Sequence, residues 1–170
     1  TIGIGGHIRP DGDCVGSCLA LYQYLKKCMP DKYIKVFLEK PADIFSEIKG
    51  FEEIDSECRE DTVFDVFFCL DCADDRLGNS QKYFEKAEKK INIDHHISNT
   101  NYCDINLVEG NVSSCSQVVY YLLKDWNIKF NENILKCSNA VEFVKIVAES
   151  NKKLSSFVAQ ASIKLCNLRE

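Results

Sequence analysis

The chain has 170 residues, an apolar content of 45% and a formal net charge of −5 at pH 7. This composition excludes a disordered tail and suits one domain with a buried core, alone or with a small appendage. The negative charge argues against a protein that holds long nucleic acid on a basic surface, because such binding needs clustered Lys and Arg. A small anionic substrate held through metal ions remains compatible with it.

Hydropathy and cysteine content indicate in which cellular compartment the protein is expected. No apolar run approaches the roughly 18 residues of a membrane-spanning helix, and residues 1–7 lack the features of a secretory signal peptide. The ten cysteines lie mostly in apolar stretches of a chain too long to depend on disulfides. We therefore expect a cytoplasmic protein without membrane contact, whose core cysteines are reduced. Cys69 and Cys72 form a lone C-x-x-C, to which we assign no metal role because zinc ribbons need a second pair.

The first half of the chain predicts strands around one helix. An apolar strand is expected at Ile2–Gly6, and a helix between Asp13 and Pro30, where apolar residues recur at helical spacing. Two further strands are expected at 33–38 and 63–70. The second of these is almost wholly apolar, which is typical of an interior parallel strand.

The second half continues the alternation of helices and strands. Its pattern predicts a polar helix at 80–90, a short strand at 90–93 and an amphipathic helix at 113–126. Ser113 or Ser114 could serve as the N-cap of this last helix.

The order of these elements predicts the fold class. Strands that alternate with helices indicate an α/β fold, with a Rossmann-like, mostly parallel sheet flanked by helices. Apolar residues beyond position 139 recur at helical spacing without a strand between them. We therefore expect one domain over residues 1–137 and a helical appendage over residues 138–170.

Residues of metal-ligand type follow three of the predicted strands. After the first strand come His7, Asp11 and Asp13, after the long apolar strand comes Asp71, and after the strand at 90–93 comes the run Asp94, His95 and His96. Since ligands of open α/β sheets sit beyond the carboxyl ends of the strands, we expect these side chains to form one site. Taken singly, each has a structural alternative: Asp13 could cap a helix, Asp71 could open a turn, and an isolated histidine could be structural.

The chemistry of this set favours cations. Carboxylates gathered in this way would repel one another and lose hydration unless cations neutralise them. Carboxylate and imidazole ligands together favour Mn²⁺, Fe²⁺ or Co²⁺, and two such ions about 3.5–4 Å apart can hold a phosphoryl group. The residues therefore indicate phosphate-ester hydrolysis at a two-metal site.

Three motifs occur in a familiar order: H-x-x-P-D-G-D-x-x-G-S from His7, L-D-C-x-x-x-R-L-G around Asp71, and D-H-H from Asp94. Together they resemble the DHH phosphoesterase family, and within it the branch of nanoRNA phosphodiesterases and phosphoadenosine-phosphate phosphatases. The likeness extends from about residue 2 to residue 133.

The resemblance implies a role for each site residue. It implies two divalent ions, most readily Mn²⁺, and a metal-bridging hydroxide as nucleophile. The ligands it implies are His7 and Asp11 for one ion, Asp13 and His95 for the other, and Asp71 as the bridge. Asp94 would orient an imidazole from outside the ligand set, and His96 would face the scissile phosphate. Arg76 is a catalytic and substrate-binding candidate that could reach a substrate phosphate or instead hold the metal loop. Ser113 and Ser114 are further substrate-binding candidates.

The implied substrates are short oligoribonucleotides, linear dinucleotides or a nucleoside 3′,5′-bisphosphate. Family II inorganic pyrophosphatase is the alternative enzyme, although such proteins typically carry Thr where Gly12 stands. A catalytically degenerate nucleotide-binding module and a metal-free flavodoxin-like domain are alternatives of another class. Homodimerisation stays open.

The chain departs from the family pattern in two places. A further Asp beside Thr and Gly, expected after residue 131, is not found, and no histidine follows His96. We therefore expect an incomplete C-terminal end of the domain and no family substrate-binding domain within residues 1–170. Omitted segments of a longer protein, truncation and degeneration are the open explanations, of which we favour omitted segments.

Overall fold

The computed structural model describes residues 1–133, with side chains up to Asp125. Six strands form one sheet: β1 (Ile2–Gly6), β2 (Ile34–Phe37), β3 (Ile54–Asp55), β4 (Val66–Leu70), β5 (Lys89–Asp94) and β6 (Ile105–Val108). Every pairing is parallel, and the strand order is β3-β2-β1-β4-β5-β6. The helices are α1 (Gly12–Cys28), α2 (Gln81–Lys86) and α3 (Cys115–Asn133). The predicted α/β fold with a parallel sheet is confirmed.

The two faces of the sheet bury two separate apolar clusters, because side chains of a strand alternate between faces. In β4, Phe68 and its alternate neighbours pack with α1 and α3 in the larger cluster. Phe67 and Cys69 point the other way, into an aromatic cluster with Tyr83 and Phe84 of α2. Both faces of β4 are therefore dry, which explains its continuous apolar sequence.

Glycines let the first strand approach its neighbours. A Cβ atom on Gly6 would lie 2.3 Å from Cys14 Sγ, and one on Gly3 would lie 2.5 Å from the Phe67 ring. Only a residue without a side chain allows α1 and β4 to pack this closely on β1.

Some element boundaries differ from the prediction, because the apolar pattern of the sequence extends beyond the residues that pair in the sheet. The second strand and the long strand are shorter than predicted, and Val63, at the expected start of the latter, is 55% exposed. The predicted helix at 80–90 ends at Lys86, because Ala87 is extended and β5 already begins at Lys89. Strands β3 and β6 were not predicted.

Among residues 1–133, no helix has the length and apolarity needed to cross a membrane. The eight cysteines of this part are free thiols, and six of them are buried. The predicted appendage at 138–170 and the expected end of the domain at residue 137 lie outside the described residues.

Candidate active site

Most of the predicted site residues gather at the carboxyl ends of three neighbouring strands, β1, β4 and β5. β1 lies between β2 and β4, so the chain passes to the other side of β1 after β3. A parallel sheet opens a crevice at such a point, which is where ligands of open α/β sheets bind. Loops after β1 and β4 supply His7 and Asp71, and β5 ends at Asp94, which His95 and His96 follow directly.

The loop after β1 is fixed by helix capping. Asp11 is the N-cap of α1, and its Oδ1 accepts hydrogen bonds from Asp13 N at 3.0 Å and Cys14 N at 3.1 Å. These backbone N–H groups hold the pKa of the Asp11 carboxyl below its usual value. The capping role considered for Asp13 thus belongs to Asp11.

Asp71 occupies the centre of the site. Its side chain is 3% exposed, and its backbone has φ 52°, in the left-handed region. One carboxylate oxygen, Oδ2, lies 3.6 Å from His7 Nε2, while the other, Oδ1, lies 3.5 Å from His95 Nε2. Asp71 therefore faces a histidine on either side.

Two clusters of ligand atoms share this aspartate. One contains His7, Asp11 and Asp71, the other contains Asp71, His95 and His96, and within each the ligand atoms lie within 4.8 Å of one another. Spacings of 3.5–3.8 Å between the paired nitrogen and oxygen atoms are longer than hydrogen bonds. They approach the separation of two ligands that are each about 2.0–2.2 Å from a shared ion.

A buried oxygen gives an independent test of whether a cation fits. Asp71 Oδ1 is buried without a hydrogen-bond partner among the described residues. A buried carboxylate oxygen with no donor is costly unless a cation takes the donor's place. The same carboxylate raises the pKa of His7 to about 11. The residues present thus fit divalent cations.

Asp94 holds the last histidine of the D-H-H run. Its Oδ1 lies 2.7 Å from His96 Nδ1 and accepts a hydrogen bond from His95 N at 2.7 Å. Asp94 is 1% exposed, whereas the His96 side chain is 51% exposed. A buried carboxylate thus orients an imidazole that faces solvent at the mouth of the site.

Asp13 joins the site to the start of α3. Its carboxylate accepts hydrogen bonds from Cys115 N at 2.7 Å and Ser116 N at 2.8 Å, and it lies 3.6 Å from His95 Nε2. Helix N-termini favour negative charge, so this contact stabilises the carboxylate as well as α3. Asp13 lies beside the site but in neither of the two clusters of ligand atoms.

The remaining candidates lie at the periphery. Ser114 Oγ accepts from Gln117 N at 3.1 Å and caps α3, while Ser113 Oγ donates to the Gln117 side chain at 2.9 Å. Arg76 is exposed, and its carbonyl accepts a hydrogen bond from Ile8 N at 2.7 Å, which ties the loops after β1 and β4 together.

Three polar residues behind the site were missed in the sequence. Asn92 is fully buried within β5, and with Asn99 and Tyr102 it links Asp94 to the loop that carries Asp71. An amide between two isoleucines of a predicted strand was the available signal, because such a group requires partners when it is buried.

A parallel α/β sheet with clustered carboxylate and imidazole ligands at its switch point defines a class of metal-dependent hydrolytic domains. Residues 1–148 match the DHH family, N-terminal domain. The chain belongs to this family.

Curated relatives support a finer comparison. The chain is 33% identical over 122 residues to the bifunctional oligoribonuclease and PAP phosphatase NrnA of Bacillus subtilis, covering 72% of this chain and 37% of that protein. It is 27% identical over 120 residues to the probable NrnA of Streptococcus mutans, covering 70% and 37%. The chain thus spans just over a third of the length of these relatives.

A solved structure shares the fold. The exopolyphosphatase-related protein from Bacteroides fragilis matches 91% of this chain and 53% of its own, with a TM-score of 0.61 and 22% sequence identity.

Proposed function

We propose that this domain hydrolyses short oligoribonucleotides, linear dinucleotides or a nucleoside 3′,5′-bisphosphate in a metal-dependent reaction. The observation that carries the proposal is Asp71, whose two oxygens face His7 and His95 and whose Oδ1 is buried without a donor among the described residues. The substrate class is taken from the names of the NrnA relatives, each matched over 37% of its length.

Two divalent ions, with Mn²⁺ as the proposed metal, would be held by five residues. His7 and Asp11 would bind one, Asp13 and His95 the other, and Asp71 would contact both. Ions bound there would neutralise the carboxylates and polarise a phosphoryl group. The distances of 3.5–3.8 Å between these carboxylates and imidazoles support this assignment.

His96 is the proposed proton donor. Its imidazole is exposed at the mouth, and the Asp94 carboxylate, 2.7 Å from Nδ1, leaves Nε2 to face a substrate. With Nδ1 held by this carboxylate, the imidazole can act as a general acid through Nε2 at the leaving oxygen of a phosphate ester. We assign Arg76, Ser113 and Ser114 a supporting role in holding the substrate phosphate.

The charge and the cysteines of the chain bear on its substrate and its compartment. A net charge of −5 suits a small substrate better than long nucleic acid. The six buried thiols among the described residues suit the reducing cytoplasm. We propose that residues 1–137 form the domain and that it acts there on short RNA or nucleotides.

The test measures release of mononucleotide from 5′-phosphorylated diadenylate with Mn²⁺, together with Mn²⁺ binding. Wild type is compared with Asp71→Asn and with Asp75→Asn, an exposed aspartate of the same loop. We expect Asp71→Asn to lose metal binding and, with it, most of the hydrolytic activity, while Asp75→Asn behaves as wild type.

Other outcomes select the alternatives. Hydrolysis of pyrophosphate without cleavage of diadenylate would replace the proposal by a pyrophosphatase. Nucleotide binding without hydrolysis of either compound would indicate a degenerate module. Absence of Mn²⁺ binding by the wild type would remove the metal site itself.

A further inference from the structure

A network of one buried and two partly buried polar side chains adjoins the candidate site. It connects the carbonyls of Cys69 and Cys72, which bracket Asp71, with Asn92, Tyr102 and Asn99. None of these side chains belongs to the ligand clusters of the site. The aromatic cluster around Phe84 packs against the network from the far side.

The hydroxyl of Tyr102 is fully used. It donates to Cys72 O at 2.6 Å, accepts from Asn92 Nδ2 at 3.2 Å, and lies 2.8 Å from Cys69 Sγ. Since its single proton goes to Cys72 O, the Cys69 thiol must be the donor in the last contact. Burial raises the pKa of Cys69 well above its usual value, which keeps this thiol protonated.

Asn92 carries the connection to the other half of the site. Its amide nitrogen donates to Cys69 O at 3.0 Å, and its oxygen accepts from Asn99 Nδ2 at 2.8 Å. The same Asn99 nitrogen lies 2.6 Å from Asp94 Oδ2, and Asp94 orients His96. One chain of hydrogen bonds thus runs from the Asp71 loop to His96.

The backbone of Asp71 needs such support. A left-handed φ of 52° is unfavourable for a residue with a side chain and persists only where the surroundings fix it. Tyr102 and Asn92 hold the carbonyls on either side of the Leu70–Asp71 pair, so the turn cannot relax without breaking these two hydrogen bonds.

We propose that Tyr102 is a positioning residue, which acts with Asn92 to hold the Asp71 turn so that both carboxylate oxygens face the cation sites. The inference rests on the proposed metal-dependent function and deepens it. Its observable is metal affinity, because groups that orient ligands typically change metal binding by about 10–100-fold when removed.

The experiment compares Tyr102→Phe with Tyr83→Phe. Tyr83 is a matched control, since it lies in the adjoining aromatic cluster and its hydroxyl also donates to a backbone carbonyl, Glu60 O, at 2.9 Å. Each variant loses one hydroxyl and keeps its ring. Mn²⁺ affinity is measured by electron paramagnetic resonance of the free ion, beside thermal stability in EDTA and kcat and KM for diadenylate.

We expect Tyr102→Phe to weaken Mn²⁺ binding about tenfold or more and to lower kcat at subsaturating metal. Tyr83→Phe should keep Mn²⁺ affinity within about twofold of wild type, although it loses a hydrogen bond of the same kind. Equal Mn²⁺ affinities in the two variants would overturn the inference and leave the proposed function standing. A wild type that binds no Mn²⁺ would overturn both.

Should Tyr102→Phe fail to fold, Asn99→Ala replaces it, because this change removes a partner of Asn92 and leaves the Tyr102 ring in place. A fall in kcat of about tenfold or in Mn²⁺ affinity would support the network, since the Asp94 and Asn92 contacts are lost. Wild-type values for both quantities would overturn it.

Discussion

The carboxylate and the backbone of Asp71 place separate requirements on the residue at that position. The carboxylate must serve two neighbours, and the backbone must stay at φ 52°. Aspartate and asparagine tolerate this conformation better than most other residues with side chains, because their short polar groups bond locally. Two substitutions can therefore separate the charge from the conformation.

In EDTA, Asp71→Ala should have a lower free energy of unfolding than Asp71→Asn, by about 1 kcal/mol. Both variants remove the charge, but only alanine carries the full left-handed penalty. Urea denaturation of the two proteins measures the difference. Equal stabilities would show that the turn is not strained.

Competition between a proton and Mn²⁺ for the His7 imidazole gives a second prediction. Asp71 raises the pKa of His7 from 6.5 to about 11, so the folded metal-free protein holds a proton that the unfolded chain releases above pH 6.5. An ion must displace this proton, and Mn²⁺ affinity should rise with pH by up to about tenfold per unit between these values.

Calorimetry in buffers of different ionisation heat would detect the proton. Near pH 7.5 we expect the wild type to release about one proton more per protein than His7→Asn. An affinity that stays constant between pH 6.5 and 8.5 would contradict the prediction.

At the scale of elements, the contact between Asp13 and the start of α3 ties two helices that pack on the same face. Two backbone N–H groups of α3 depend on this carboxylate. Asp13→Ala should therefore lower the free energy of unfolding in EDTA by about 1–2 kcal/mol. Asp13→Asn keeps one oxygen acceptor and should lose roughly half as much.

Chemical denaturation measures both Asp13 variants. The difference in stability between the two Asp13 variants should persist in glycerol and at high salt. It comes from hydrogen bonds to backbone groups of α3 and not from a distant charge. If alanine and asparagine were equally destabilising, the contact would act through charge alone.

Elements with a strong local pattern could be predicted, and those made by pairing could not. β1, α1 and β4 each show a clear apolar pattern within a few residues of sequence. β3 has two residues and β6 has four, and both exist because β2 and β5 offer free edges. Likewise, His7 and Asp71 could be predicted from their place after strands, whereas Tyr102 enters the site only through the packing of distant loops.

At the scale of the whole molecule, the cation sites should contribute to stability. An ion at about 100 times its Kd that binds only the folded state stabilises it by about 2.7 kcal/mol. For a domain of this size we expect Mn²⁺ to raise Tm by roughly 5–10 °C. Differential scanning calorimetry with Mn²⁺ and then EDTA measures the shift.

Asp71→Asn is the control for this measurement, because it should show little shift while it stays folded. A wild-type Tm indifferent to both Mn²⁺ and EDTA would favour the metal-free flavodoxin-like alternative.

The reach of Asp13 also bears on how the domain is made. Asp13 bonds to backbone groups 102 and 103 positions further along the chain, and β1 pairs with β4 across a gap of more than 60 residues. Contacts of such sequence separation form late, because long loops must close first. On a translating ribosome, Asp13 of the first motif would therefore stay without these partners until the start of α3 has left the exit tunnel. The Asp13 carboxylate would then gain its backbone partners only after most of the domain core has been synthesised.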